Sequence, residues 1–159
     1  MCTTRIIKQT TKISLQPSEL GDVYGAIRQY LQELVNTSIS DGYILSIPRI
    51  HNYKNNIIHN TTACCLIDVT YDVEIIRPKV DEIYTCMVHS IFKEGVFVQL
   101  YQINILISGH TLQQKQWKYS CQRFIHEDGK ILEKGNWVQV QIKSIRYEDN
   151  VYQCLGTIV

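Results

Sequence analysis

Residues 83–112, IYTCMVHSIFKEGVFVQLYQINILISGHTL, constrain the fold more than any other part of the chain. Three runs rich in apolar and β-branched residues are separated by Lys93-Glu94-Gly95 and by Tyr101-Gln102, connections that allow only sharp reversals. Three consecutive strands therefore lie side by side. Further strands are read at 137–146 and 151–159. In the first of these, Val138, Val140 and Ile142 alternate with Gln139, Gln141 and Lys143, so one face is buried and the other wet. Glu148-Asp149-Asn150 supplies the hairpin turn between the two. The third and fourth strands are separated by a longer polar excursion, 113–133, which carries Trp117, Tyr119, Arg123 and Phe124.

Five strands with a single long excursion in that place fit an OB-type barrel. Upstream of Pro78 the pattern differs. Residues 5–15 read as a strand that ends at Gln16-Pro17. Leu20, Val23, Tyr24, Ile27, Tyr30, Leu31, Leu34 and Val35 then recur at three- and four-residue steps, which makes one amphipathic helix that Pro17 or Ser18 can start. Asp41-Gly42 signals a turn. Residues 43–53 read as a strand interrupted at Pro48, 54–60 as a polar loop, and 62–76 as a long β-branched strand. The expected fold class is α+β: a small antiparallel sheet carrying one helix over residues 1–78, followed by an all-β barrel over 79–159.

Composition narrows the chemistry. With 16 basic and 15 acidic residues the net charge is only +1, whereas a free-standing DNA binder draws most of its affinity from excess basic residues. Nucleic-acid contact is therefore expected to be local or assisted by partners. The six cysteines contain no C-x-x-C spacing, and Cys64, Cys65, Cys86 and Cys154 sit in apolar runs as small hydrophobes. His51, His59, His89, His110 and His126 show no ligand spacing, Gly129-Lys130 lacks the upstream glycine of a phosphate loop, and no nucleophile–base pair is recognisable. The expectation is a non-enzyme with no metal and no cofactor. The start, MCTTRIIKQTT, has no apolar h-region and no run approaches the roughly 18 apolar residues of a membrane span, so an intracellular protein without a membrane partner is expected.

Arg77-Pro78, the run 83–92, Lys93-Glu94-Gly95-Val96-Phe97-Val98 and Ile107-Ser108-Gly109-His110 together resemble the S1 domain of the stalk subunit of multisubunit RNA polymerases. That family includes the seventh subunit of eukaryotic polymerase II, its archaeal counterpart and viral relatives. Leu15-x-Pro17-x-x-x-Gly21 before the helix is similar to the family's opening. Ile75-Ile76-Arg77-Pro78 is similar to its passage into the barrel, and Gly135 to Ile145 followed by Leu155-Gly156-Thr157-Ile158 to its closing hairpin. The order of two unlike halves is more specific than either motif alone. This sequence departs from the family in its loop before the long strand, which is Asn-rich with no glycine between Tyr43 and Lys93. Glu94 stands where a second aromatic is usual, and Ser108 where a histidine is usual, with His110 two residues on. The chain also ends without the family's usual carboxy-terminal extension.

The resemblance implies a truncated RNP-like first domain, an S1/OB barrel and a non-catalytic accessory subunit of a DNA-directed RNA polymerase. Its implied partners are the polymerase core (the clamp region of the largest subunit and a small core subunit), a smaller helical stalk partner resembling polymerase II's fourth subunit, and, weakly, nascent single-stranded RNA. Its implied location is the nucleus for a cellular member and a cytoplasmic virus factory or virion for a viral one. Asn55, Asn56, Ile57 and Ile58, with Pro17 and Gly21, are then expected to dock on the core. Phe97, Lys93, His110, Arg123, Lys143 and Arg146 are expected to meet nucleic acid. Phe97 could stack on any base if it faces outward, or fill the barrel core if it faces inward. Aromatics of the excursion either pack down on the barrel or await a partner. The alternative function is a free-standing S1-type binder of single-stranded RNA.

Overall fold

Strand β1 (Thr4–Leu15) pairs along its whole length with β4 (Cys65–Ile76). On the other edge of β4 lies β3 (Gly42–Ile58), and beyond it the short β2 (Ser38–Ile39), giving an antiparallel sheet of order β1-β4-β3-β2. The computed structural model describes residues 4–58 and 63–159, for 55–58 the backbone only. Two compact units meet at Arg77/Pro78 in the sequence, 4–77 and 78–159. In β4 the alternation holds up to Ile75: Cys65, Ile67, Val69, Tyr71, Val73 and Ile75 are buried, and Ile27 and Leu31 of helix α1 (Val23–Leu34) pack into the same core. Ile27 and Leu31 are four residues apart, hence on one stripe of the helix.

The helix starts later than its hydrophobic period suggests. Pro17–Asp22 form a 3-10 turn, closed by Gln16 N–H donating to Glu19 Oε2 at 2.8 Å, and Asp22 then caps α1 by accepting from Gly25 N–H at 3.0 Å. Two glycines and a good N-cap residue move the α-helical start to Val23. On the sheet face away from the helix, Asp68, Thr70, Asp72 and Glu74 form a polar ladder. His51 Nε2 lies 2.7 Å from Asp72, Ser46 donates to Glu74 at 2.8 Å, and the Thr10 and Thr70 hydroxyls meet at 3.1 Å.

Residues 54–58, expected in a loop, continue β3: Lys54 pairs with Asp68, Asn55 with Ile67, Ile57 with Leu66 and Ile58 with Cys65. The physical reason is the free edge of β4, whose backbone groups need partners whatever side chains the neighbour carries. The side chains of Asn55, Asn56, Ile57 and Ile58, and the whole of residues 59–62 (His59 and the expected start of the long strand included), lie outside the described residues. Pro48 does not interrupt the strand. The register instead slips between Ser46 and Arg49, where a residue without an N–H can be accommodated.

In the second unit β5 (Ile83–Phe92), β6 (Gly95–Leu100), β7 (Ile103–Ser108), β11 (Trp137–Glu148) and β12 (Val151–Ile158) close into a barrel of order β11-β12-β7-β6-β5. All its pairs are antiparallel except β12 with β7. This is an OB-like barrel on an α+β protein that is mostly β. Cys86, Val88, Val96, Val98, Ile105, Ile107, Val140 and Ile142 fill it, each at most 1% exposed. Burial also pushes the Cys154 thiol up to about 11, so it remains a protonated core residue. Gly95 is required where β6 meets β7, because a Cβ there would lie 2.6 Å from the Ile107 carbonyl oxygen. The β11–β12 turn has Asp149 and Asn150 at φ 51° and 59°, the left-handed pair that a two-residue hairpin favours.

The excursion is more ordered than its polarity suggests. Helix α2 (Gly109–Gln114) leads into it, and it holds a small sheet of β8 (Trp117–Ser120), β9 (Arg123–His126) and β10 (Ile131–Leu132). Phe124 and Leu132 are buried, Trp117 nearly so, and the half-exposed Tyr119 lies edge-on to Phe124 at 5.4 Å. In its last turn Asp128 accepts from Lys130 N–H and lies 2.7 Å from His126 Nδ1, and these bonds hold its carboxyl below the usual range.

Candidate nucleic-acid interface

The alternation of β6 decides where Phe97 points. Val96, Val98 and Leu100 are buried in the barrel, so Phe97 and Gln99 project outward. Register then builds the surface around them. Phe97 lies opposite Leu106 of β7, and Leu106 lies beside Leu155 of β12, which is half exposed. Phe92, at the end of β5 and also half exposed, meets the Phe97 ring edge to face, with centroids 6.3 Å apart and planes at 83°. Parallel to this apolar row runs a polar one: Gln99 opposite Asn104, Asn104 beside Gln153, and Gln153 opposite Arg146. Gln99 donates to Asn104 at 3.0 Å.

The basic candidates fall unevenly around this surface. Lys93 occupies the β5–β6 turn next to Phe92 and is exposed. Gly109 N–H donates to the Glu94 carbonyl at 2.7 Å, which seats the start of α2, and with it His110, against that same turn. His110 Nε2 lies 3.2 Å from the Gln114 side-chain nitrogen. Arg146 is on the outer face of β11 with Glu148 at 2.7 Å, and Lys143 is on the same strand with Asp81 at 3.9 Å. These exposed pairs contribute little to stability and leave the cations open to exchange partners. Arg123 stands apart, at the β8–β9 turn of the small sheet. In the first unit Pro17 and Gly21 are exposed in the 3-10 turn.

Several surface residues escape a reading of motifs. Phe92 sits at a strand end, where period-2 alternation gives it no partner to be read against. Trp137 is 68% exposed and, with its cross-strand neighbour Met87, Ile83 and Tyr101, lines a groove of about 380 Å³. Its signal was available: it shares the parity of Gln139 and Gln141 rather than that of Val138 and Val140. Among the described residues no group of three His, Cys, Asp or Glu is placed to hold a metal ion. No described helix is long and apolar enough to cross a membrane.

The outer face of the second and third strands of this OB-like barrel carries aromatic and amide side chains, and other barrels of this architecture take oligonucleotides on such a face. No family model matches the chain. The chain is similar to "DNA-directed RNA polymerase II subunit RPB7" of Glycine max, 24% identical over 120 residues that make up 74% of this chain and 68% of that one. The likeness is weak, and at most it supports kinship with RNA polymerase stalk subunits, which are accessory rather than catalytic.

Proposed function

We propose that this protein is a non-catalytic stalk subunit of a DNA-directed RNA polymerase. The sheet-and-helix unit, a truncated RNP-like domain in this reading, docks on the polymerase core near the clamp through the tip of β3 (Asn55, Asn56, Ile57, Ile58) and through Pro17 and Gly21. The barrel acts as an S1 domain and presents the Phe92–Phe97 face to nascent RNA and to factors, with Lys93, His110, Lys143 and Arg146 around it and Arg123 at its periphery. A smaller helical subunit completes the stalk. The observation that carries this reading is the span of the RPB7 similarity: 120 residues exceed either compact unit, so the likeness follows the order of both. Near-neutral net charge suits a tethered RNA contact, because docking supplies a high local concentration of the transcript.

Affinity purification of the tagged full chain from its native cells tests the proposal. The large polymerase subunits are expected to co-purify, and the double substitution Ile57→Asp/Ile58→Asp is expected to remove them. Recovery of the wild-type chain as a monomer without polymerase subunits overturns the stalk reading and leaves a free-standing RNA binder. Unchanged recovery by the double variant removes the β3 tip from the docking surface.

A further inference from the structure

We infer that the cleft between α2 and the β11–β12 hairpin seats a backbone phosphate of single-stranded nucleic acid, held by Lys115 and Lys143. This rests on reading the barrel as a nucleic-acid-facing module. The cleft encloses about 430 Å³, with both lysines, the hydroxyls of Ser108 and Thr111, Leu155 and Thr157 in its walls. Lys115 reaches from the end of α2 to β12, where its ammonium donates to the Ile158 carbonyl. That leaves two of its three donors for another acceptor. Lys143 faces the cleft from β11. Its carboxylate neighbour among the described residues, Asp81 at 3.9 Å, has a side chain three-quarters exposed and is a weak competitor for it.

Two further features point to an oxygen-rich occupant. Ser108 Oγ and Thr111 Oγ1 share a hydrogen bond of 2.7 Å at the cleft wall, which uses one hydroxyl proton and leaves the other free to turn toward an anion. Thr157 is only 7% exposed, yet its hydroxyl finds no hydrogen-bond partner among the described residues. Buried hydroxyls are ordinarily paired, so an unpaired one in the wall of an open cationic cleft marks a place for an acceptor from outside the chain. The cleft also continues the aromatic face. Leu106 and Leu155 line it and are the register neighbours that lead from Phe97 across β7 to β12, about 10 Å at the usual strand spacing. A base on Phe97 and a phosphate between Lys115 and Lys143 then belong to one strand.

The test is fluorescence anisotropy of the full chain with a labelled oligouridylate of about ten nucleotides, a length within the usual span of one such barrel, titrated at several salt concentrations. Each phosphate contact contributes about 0.7 to the slope of log K against log salt for a single strand. Lys115→Gln and Lys143→Gln are each expected to weaken binding and shallow that slope, and the double variant to shallow it by about 0.7 in all because the two lysines share one phosphate, with Lys115→Arg retaining it. Phe97→Ala weakens binding without changing the slope, and Lys118→Gln leaves both unchanged. A slope unmoved by both lysine substitutions while Phe97→Ala still weakens binding overturns the cleft and leaves the aromatic face standing. No binding by the wild-type chain, or none of the substitutions having an effect, overturns both.

Discussion

Neighbouring residues of β6 should respond in opposite ways to truncation, and the pair Phe97→Ala and Val98→Ala isolates the outer face from the core. Val98 is 0% exposed. Removing its two methyl groups forfeits about 1.6 kcal/mol of transfer energy at about 0.8 kcal/mol per group. An unfilled cavity of roughly 50 Å³ adds about 1 kcal/mol. The total, about 2–3 kcal/mol, corresponds to a fall in melting temperature of roughly 8–24 °C for a unit of this size. Phe97 projects outward, with its ring against Phe92 and Leu106 opposite it, so its loss costs about 1 kcal/mol or less, at most roughly 4–8 °C. Both tryptophans, Trp117 and Trp137, belong to the barrel unit, so their fluorescence follows its unfolding without interference from the first unit. Affinity for single-stranded RNA should rank the other way. Phe97→Ala loses about 1–3 kcal/mol of stacking, roughly 5- to 150-fold, while Val98→Ala binds as wild type below its melting temperature. Equal destabilisation by the two substitutions would refute the outward placement of Phe97. Intact stability with unchanged RNA affinity in Phe97→Ala would refute the face as the binding surface.

Gly95→Ala drives a methyl group to 2.6 Å from a backbone carbonyl that cannot swing aside, and is expected to cost about 1–3 kcal/mol in the same tryptophan-detected melt. Gly21→Ala has the opposite sign: nothing lies within 4 Å of the new Cβ and no left-handed backbone is involved, so circular dichroism should show the first unit more stable by up to about 1 kcal/mol. The raised Cys154 pKa makes stability fall at high pH. The folded thiol keeps its proton up to about 11 while the unfolded one loses it near 9, so the barrel's melting temperature should decline between about pH 9 and 11, and less so in Cys154→Ala. At pH 8 a maleimide should label exposed Cys121 quickly and reach Cys86 and Cys154 only on unfolding, as peptide mass mapping will show.

The parts of the fold that were legible in the sequence were local. Turn residues at Gly95 and at Asp149-Asn150, and period-2 alternation in 137–146, announced the barrel strands because each signal lies within a few residues of what it specifies. The 3.6-residue period announced α1, although Asp22 and the glycines around it moved the α-helical start to Val23. Residues 54–58 were misread because a strand paired through its backbone alone carries no side-chain signature. The small sheet of the excursion was missed because its strands are two to four residues long, too short to show a period.

By itself, then, the sequence determined that a helix-bearing sheet precedes a five-stranded barrel, and that KEGVFVQL runs through the barrel's second strand. It could not determine which side of that strand is wet. Alternation separates two faces but does not label them, and here Val and Phe are both hydrophobic enough to be inside. Closure of the barrel labelled them, by enclosing Val96 and Val98 and excluding Phe97. The same closure brought Leu155 beside Leu106 through the one parallel pairing, and with it Lys143 and Lys115 to a common cleft. Contacts between residues that lie tens of positions apart leave no local trace in a chain, so only the tertiary structure could assemble the surface.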